Sequence, residues 1–332
     1  MRLLKAIAAI AFLAAMPAKA QETEPFAELV EVRKIWDQAP HNAFTDLIRY
    51  GDRWFCVFRE GTAHVSPDGS LRVITSEDGK EWVSAALISS PVMDLRDAKI
   101  TLTPDGKLML TGAGALHDKS VHTHQSLAWF SDDGFHWSGS HAIGDLDFWL
   151  WRTTWHKGNA YTMGYGCNQQ KSLRFYASDD GKQFNQVGDD ILLEGYPNES
   201  SIWFTGDTAF CLLRRDGSEI NEGLWGVSLP PYTHWDWTGL GVRIGGPHMV
   251  RLPDGQFLAV VRLYATSEWH PARTSLCRID PRDSKLTEIL ALPSGGDNSY
   301  AGMVLHDGLL WVSYYSSHEG KTSIYLAKLK IN

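Results

Sequence analysis

Cysteine is scarce in this chain: Cys56, Cys167, Cys211 and Cys277 are the only four in 332 residues. No CxxC pair and no Cys/His cluster occurs, which excludes a disulfide scaffold and a zinc-finger type of domain. Three of the four sit in apolar, strand-like runs, where a cysteine reads as a small buried hydrophobe. The segment His122-Thr123-His124 offers two imidazoles, and its alternation is that of a strand. Long apolar runs are absent after residue 20, so no later segment is suited to crossing a bilayer as a helix. Long amphipathic helical periodicity is absent as well. Basic residues are in deficit, 31 against 39 acidic, for a net charge of −8. An acidic chain of this kind is a poor partner for nucleic acid.

The first 20 residues stand apart. Arg2 and Lys5 precede the apolar stretch AIAAIAFLAAM, and AKA closes it at Ala20. A basic start, a short apolar stretch and a small-residue cleavage site predict a secretory signal peptide over 1–20. The mature protein is expected to be secreted or periplasmic, with residues 21–332 forming one domain.

What is abundant is glycine (30), tryptophan (14) and short β-rich runs punctuated by DG and KG turns. These predict an all-β fold. The runs repeat. FTDLIRYGDRWFCVFRE from Phe44 is matched by segments from Arg96, Trp151, Glu199, Gly246 and Tyr300, each a strand, a tight polar turn and a second strand. The spacing of roughly 50 residues is that of a four-stranded propeller blade. Six copies predict a six-bladed β-propeller. The last copy runs out with three strands, and AELVEVRKIW from Ala27 to Trp36 is left over at the other end. That strand is expected to complete blade 6 and so close the ring.

Three near-identical turns follow the third strands of blades 1 to 3: SEDGKEW from Ser76, SDDGFHW from Ser131 and SDDGKQF from Ser178. Ser and Asp side chains bond turn N–H groups, Gly supplies an unusual backbone angle, and the aromatic ring packs beneath. Repetition marks these turns as fold staples, because a catalytic site needs different residues from different blades.

Three such boxes in a six-bladed array resemble the Asp-boxes of the sialidase (neuraminidase) superfamily, in a form one residue shorter than the usual S-x-D-x-G-x-T-W. The tail SGGDNSYAGMVLHDGLLWVSYYSSHEGKTSIYLAKL is similar to the last blade of bacterial sialidase-like proteins. The resemblance covers nearly the whole chain after the leader. It implies an exo-glycosidase acting on a terminal acidic sugar, with a Tyr nucleophile, a Glu that activates it, an Asp acid/base and three carboxylate-clamping arginines. Carried over by position, Tyr300 is the nucleophile and Glu199, in NESSIWF, its base. Asp68, in HVSPDGSLRV, is the acid/base, with His64 beside it as a second candidate and an ordinary Pro-Asp-Gly turn as the structural reading of Asp68. Arg214 or Arg215, with preference for Arg215, and Arg273 supply two clamps.

The family's first arginine, in an Arg-Ile-Pro motif, is missing, since NAFTDL stands there. Arg59, Arg96 or Arg152 would have to substitute. Inner-strand starts and the neighbouring strand ends also direct Asp97 and Arg262 at the same mouth, and guanidinium forks suit carboxylate, sulfate or phosphate groups. No metal and no cofactor is called for, and the expected partner is carbohydrate. A glycan-binding propeller without turnover and a uronate lyase are the alternatives.

Overall fold

The computed structural model describes residues 25–168, 171–267 and 271–332; the signal peptide expected over 1–20 lies outside them. Among the described residues there is no helix, and the strands form six small antiparallel sheets. Each sheet is one blade. The inner strands are His41–Tyr50, Met93–Leu102, the broken pair Phe148–Leu150 and Thr154–His156, Pro197–Thr205, Ile244–Arg251 and Asn298–His306. Sheets of successive blades pack side by side, and blade 6 packs on blade 1, so the ring closes around a central channel. Blade 6 takes Ala27–Trp36 as its outermost strand, paired antiparallel with Ser323–Ile331. The fold is thus a six-bladed β-propeller closed by its N-terminal strand.

The three repeated turns act between blades. Ser131 Oγ accepts from Gly134 N–H (2.8 Å), and Asp133 Oδ1 accepts from the N–H groups of Phe135 and His136 (both 2.8 Å). Trp137 Nε1 donates to Gly134 O (3.1 Å). The turns at Ser76 and Ser178 repeat the Ser–Gly and Asp–backbone bonds. Each turn glycine has a positive φ and abuts the preceding blade: Gly79 faces Trp311, Gly134 faces Phe55 and Gly181 faces Met109. Substituting Gly134→Ala should destabilise the protein by about 2–4 kcal/mol. The left-handed backbone penalises a side chain, and overpacking adds to it. The new Cβ would lie 2.3 Å from the Phe55 ring at φ +79°. Denaturant titration measures the loss, which should appear as a lower midpoint at unchanged m-value.

The four cysteines are unpaired thiols, and Cys56, Cys211 and Cys277 are fully buried. His122 and His124 flank the start of a strand, where His122 Nδ1 meets Asp147 Oδ2 at 2.8 Å and His124 Nδ1 meets Thr123 Oγ1 at 2.9 Å.

Candidate active site

One irregularity recurs in all six inner strands. From Ala43 to Asp46 the inner strand spends three residue steps while its partner, Arg59 to Val57, spends two. The same one-residue excess occurs between Arg96 and Lys99, Leu150 and Thr154, Pro197 and Ser200, Gly245 and His248, and Ser299 and Gly302. These are β-bulges, which bend a strand and re-aim a side chain. Four place a residue in the left-handed region: Phe44 (φ 64°), Asp97 (54°), Gly246 (55°) and Tyr300 (52°). Bulky residues rarely tolerate that conformation, and such strain concentrates at functional sites. The bulges thus hold Phe44, Asp97, Trp151, Glu199, Gly246 and Tyr300 around one end of the channel.

Tyr300 and Glu199 meet there. The phenol donates to Glu199 Oε1 at 2.5 Å, and Arg214 Nη1 reaches both Glu199 Oε1 (2.6 Å) and Tyr300 Oη (2.9 Å). The other Glu199 oxygen accepts from Gly246 N–H at 2.7 Å. Position 246 admits no side chain, because a Cβ would lie 2.7 Å from the Tyr300 ring. The ring is boxed by Phe44 (centroids 5.1 Å apart), Trp151 (6.0 Å) and the Arg262 guanidinium (5.4 Å). Burial pushes the Tyr300 phenol well above its ordinary pKa, and the Glu199 charge adds to this, while Arg214 and Arg262 oppose it. The resting phenol is therefore neutral.

Asp97 is 7 % exposed, and its Oδ1 has no hydrogen-bond partner. Burial raises its pKa, Lys99 and Arg96 pull it down, and the Glu199 charge raises it further, for a net upward shift. A charged layer follows one step down the same strands. Arg152 Nη1 pairs with buried Asp46 Oδ2 at 2.6 Å, and burial lowers His248 to about 3 and Lys99 to about 8. Beyond it lies a channel cavity of about 340 Å³ lined by residues such as Ile100, Thr154, Ile202 and Met303.

The sequence-based candidates sort themselves on this frame. Arg214, and not the preferred Arg215, contacts Glu199 and Tyr300. Arg215 turns to Glu222 O (2.8 Å), because neighbouring residues on a strand face opposite ways. Asp68 stays inside its own turn, accepting from Thr62 N–H (3.2 Å) and the Thr62 hydroxyl. Hydrogen bonds from Ser66 and Thr62 hold its carboxyl well below the usual carboxylate range. The residue of that loop that reaches the mouth is His64, whose ring meets Phe44 edge-on at 5.0 Å. Arg59 is fully buried, pairs with Asp94 (2.9 Å) and ties down the loop through Ala63 O (2.8 Å). Arg273 forks onto Glu288 (2.7 and 2.5 Å) on the outer strands and takes no part in the cluster. Arg96 lies over the Phe44 ring (5.5 Å) and the Trp149 ring (6.0 Å), at the rim, and donates to His64 O (3.1 Å).

Phe44 occupies the bulge of NAFTDL, so an aromatic ring stands at the position where the resemblance leads one to expect an arginine. Sequence reasoning missed Arg243, Asp216 and Tyr264. Arg214, Arg243 and Arg262 gather around the Tyr264 ring at 5.9, 3.9 and 5.9 Å, and Asp216 bridges the first two at 2.8 Å each. Tyr264 is two residues from Arg262 in the sequence, so strand alternation would have found it.

No protein-family model and no curated protein matches the chain. Solved structures do match it, and they are six-bladed propellers of this kind. A protein of unknown function from Dyadobacter fermentans has a TM-score of 0.80 at 20 % identity, over 93 % of this chain and all of that one. Trypanosoma rangeli sialidase, solved as a covalent intermediate with 2,3-difluorosialic acid, has a TM-score of 0.71 at 13 % identity. There 92 % of this chain aligns with 59 % of the sialidase, so the chain spans little more than half of that enzyme. Penicillium chrysogenum α-L-arabinanase complexed with arabinobiose has a TM-score of 0.68 at 14 % identity, over 91 % and 98 % of the two chains. At these identities the likeness establishes the fold.

Proposed function

We propose that this protein is an exported, retaining exo-glycosidase that removes a terminal acidic sugar through a tyrosyl-enzyme intermediate. The three-way contact of Tyr300 Oη, Glu199 Oε1 and Arg214 Nη1 carries the reading. Tyr300 attacks the anomeric carbon as its proton passes to Glu199. The bond to the leaving oxygen breaks, and that oxygen takes a proton from Asp97. Water then attacks the glycosyl-tyrosine, giving one proton to Asp97, and the released phenolate recovers its own from Glu199. Two displacements at one carbon give retention.

A neutral phenol suits an anomeric carbon that bears a carboxylate, because an anionic nucleophile would be repelled. The wall of Arg214, Arg243 and Arg262 supports an acidic sugar, since guanidinium forks match carboxylates. Their partners Glu199, Asp216 and Asp297 already balance the charge and hold the forks in place. Asp97, whose carboxyl burial pushes above its ordinary pKa, takes the acid role in this reading in preference to Asp68, whose carboxyl is held low. The leader over 1–20 supports the export part of the proposal.

A panel of fluorogenic sialosides, other 2-keto acid glycosides, uronides and arabinosides tests the reading. Turnover of an acidic glycoside with retained configuration, followed by NMR, is the expected result. Saturable binding without turnover would leave a glycan-binding propeller. An unsaturated product absorbing in the near ultraviolet would identify a lyase.

A further inference from the structure

Beside the Tyr300 site is a second cluster, whose two imidazoles have no part in the proposed chemistry. His41, at the start of blade 1, His64, in the loop after its second strand, and Asp297, just before the inner strand of blade 6, converge on one point. His41 Nε2 lies 3.0 Å and His64 Nδ1 2.6 Å from the same oxygen, Asp297 Oδ2. The three ligand atoms all lie within 4.8 Å of one another. The other oxygen, Oδ1, is held by the Tyr315 hydroxyl (2.7 Å) and Arg262 Nη2 (3.2 Å). That leaves Oδ2 as a single ligand atom in a fixed direction, an orientation characteristic of metal-ligating carboxylates.

We propose that His41, His64 and Asp297 form a binding site for a divalent first-row transition ion of the Zn²⁺ type. Two imidazoles and one carboxylate are a borderline-soft donor set, which suits such ions and not Mg²⁺ or Ca²⁺. A tetrahedral ion at about 2.0–2.1 Å from each donor needs its ligand atoms about 3.3 Å apart. The His41–Asp297 pair must therefore open by about 0.3 Å and the His64–Asp297 pair by about 0.7 Å, the larger shift falling on the exposed His64 loop. His41 is nine-tenths buried, and its Nδ1 has no partner. Without an ion, His41 Nε2 donates to Asp297 Oδ2, so binding requires that proton to leave Nε2, with the free Nδ1 carrying the ring's N–H and the Nε2 lone pair turned to the ion. Phe44 packs against both imidazoles, at 6.2 and 5.0 Å, and forms an apolar wall. His64 is half exposed, so the ion's fourth position faces the channel mouth, open to water or to a sugar hydroxyl. The ion would also pin the blade 1 loop to blade 6 across the seam where the ring closes.

The site can be read without a substrate. Wild-type protein stripped with chelator and dialysed against Zn²⁺ should retain one equivalent by elemental analysis. Zn²⁺ at about a hundredfold excess over Kd should raise the melting temperature by a few degrees. Co²⁺ should give the visible ligand-field bands of a four-coordinate N/O site. His64→Ala removes an exposed ligand without opening the core and should weaken binding at least about a hundredfold, whereas His122→Ala, at the separate His122–Asp147 pair, should bind as wild type does. Tyr300→Phe should also bind normally, so loss of turnover and loss of metal are independent outcomes. Absence of stoichiometric uptake by folded wild type, or uptake unchanged in His64→Ala, overturns the proposal and leaves the cluster as hydrogen bonds between two imidazoles and a carboxylate.

Discussion

Tyr300→Phe should lower kcat on any good substrate by about a thousandfold or more, with KM little changed. The substitution deletes one oxygen. Phe keeps the ring that packs against Phe44, Trp151 and Arg262, and it can be held at the same strained φ by the surrounding bulge. Glu199 does not become an unpaired buried charge, because Arg214 and the Gly246 N–H still bond it. The loss in stability should therefore be about 1 kcal/mol, one hydrogen bond's worth. The combination discriminates: a structural tyrosine would lose stability and activity in proportion, whereas a nucleophile loses turnover in a protein that still melts near the wild-type temperature. A variant that kept its full rate would remove Tyr300 from the chemistry. Mass spectrometry of wild type quenched with a slow fluorinated acidic glycoside should find the added sugar on the peptide carrying Tyr300.

The path from sequence to this site was clearest where the chemistry repeats. The Ser-Asp-Gly turns and paired hairpins marked the blades, and the spare strand Ala27–Trp36 had one place to go. The repeated segments begin a few residues inside the observed inner strands, at Phe44, Arg96, Trp151, Glu199, Gly246 and Tyr300, against starts at His41, Met93, Phe148, Pro197, Ile244 and Asn298. The reason is the bulge. An extra residue interrupts alternation, so the hydrophobic pattern resumes only after it, and the apparent strand start is the bulge itself. The same feature that obscured the strand ends singled out the residues aimed at the channel. Arg214 and Arg215 could not be separated because which of two neighbours faces the channel depends on where the bulge falls, and one-residue shifts reverse every face. The meeting of His41 with Asp297 was beyond reach for a different reason: the two lie at opposite ends of the chain and meet only because the N-terminal strand closes the ring.

Asp97→Asn should separate substrates by leaving group. With an alkyl or sugar aglycone, departure needs a proton, and the rate should fall by about 10²–10⁴-fold. With a nitrophenyl or umbelliferyl aglycone, whose oxyanion leaves unaided, formation of the glycosyl-enzyme should be nearly normal. Its breakdown should then limit turnover, because the substituted carboxamide cannot take a proton from water. A burst of aglycone followed by slow release is expected. Azide, an anion that needs no general base, should restore turnover and yield a glycosyl azide of retained configuration.

The pH profile is a second reading of the same group. Asp97 must be protonated to act as acid, and burial raises its pKa. The fall of kcat/KM with rising pH should thus lie above the ordinary carboxylate range, and should vanish for an activated substrate in the Asp97→Asn variant. Stability has a definite sign as well. The folded pKa exceeds the unfolded one, so the native state binds more protons and wild-type stability declines as pH rises above the unfolded value. The carboxamide removes that decline, and an asparagine tolerates the φ of 54° at this position. The variant should therefore gain on wild type as pH rises toward neutrality while losing the acid function, which a merely structural Asp97 would not do.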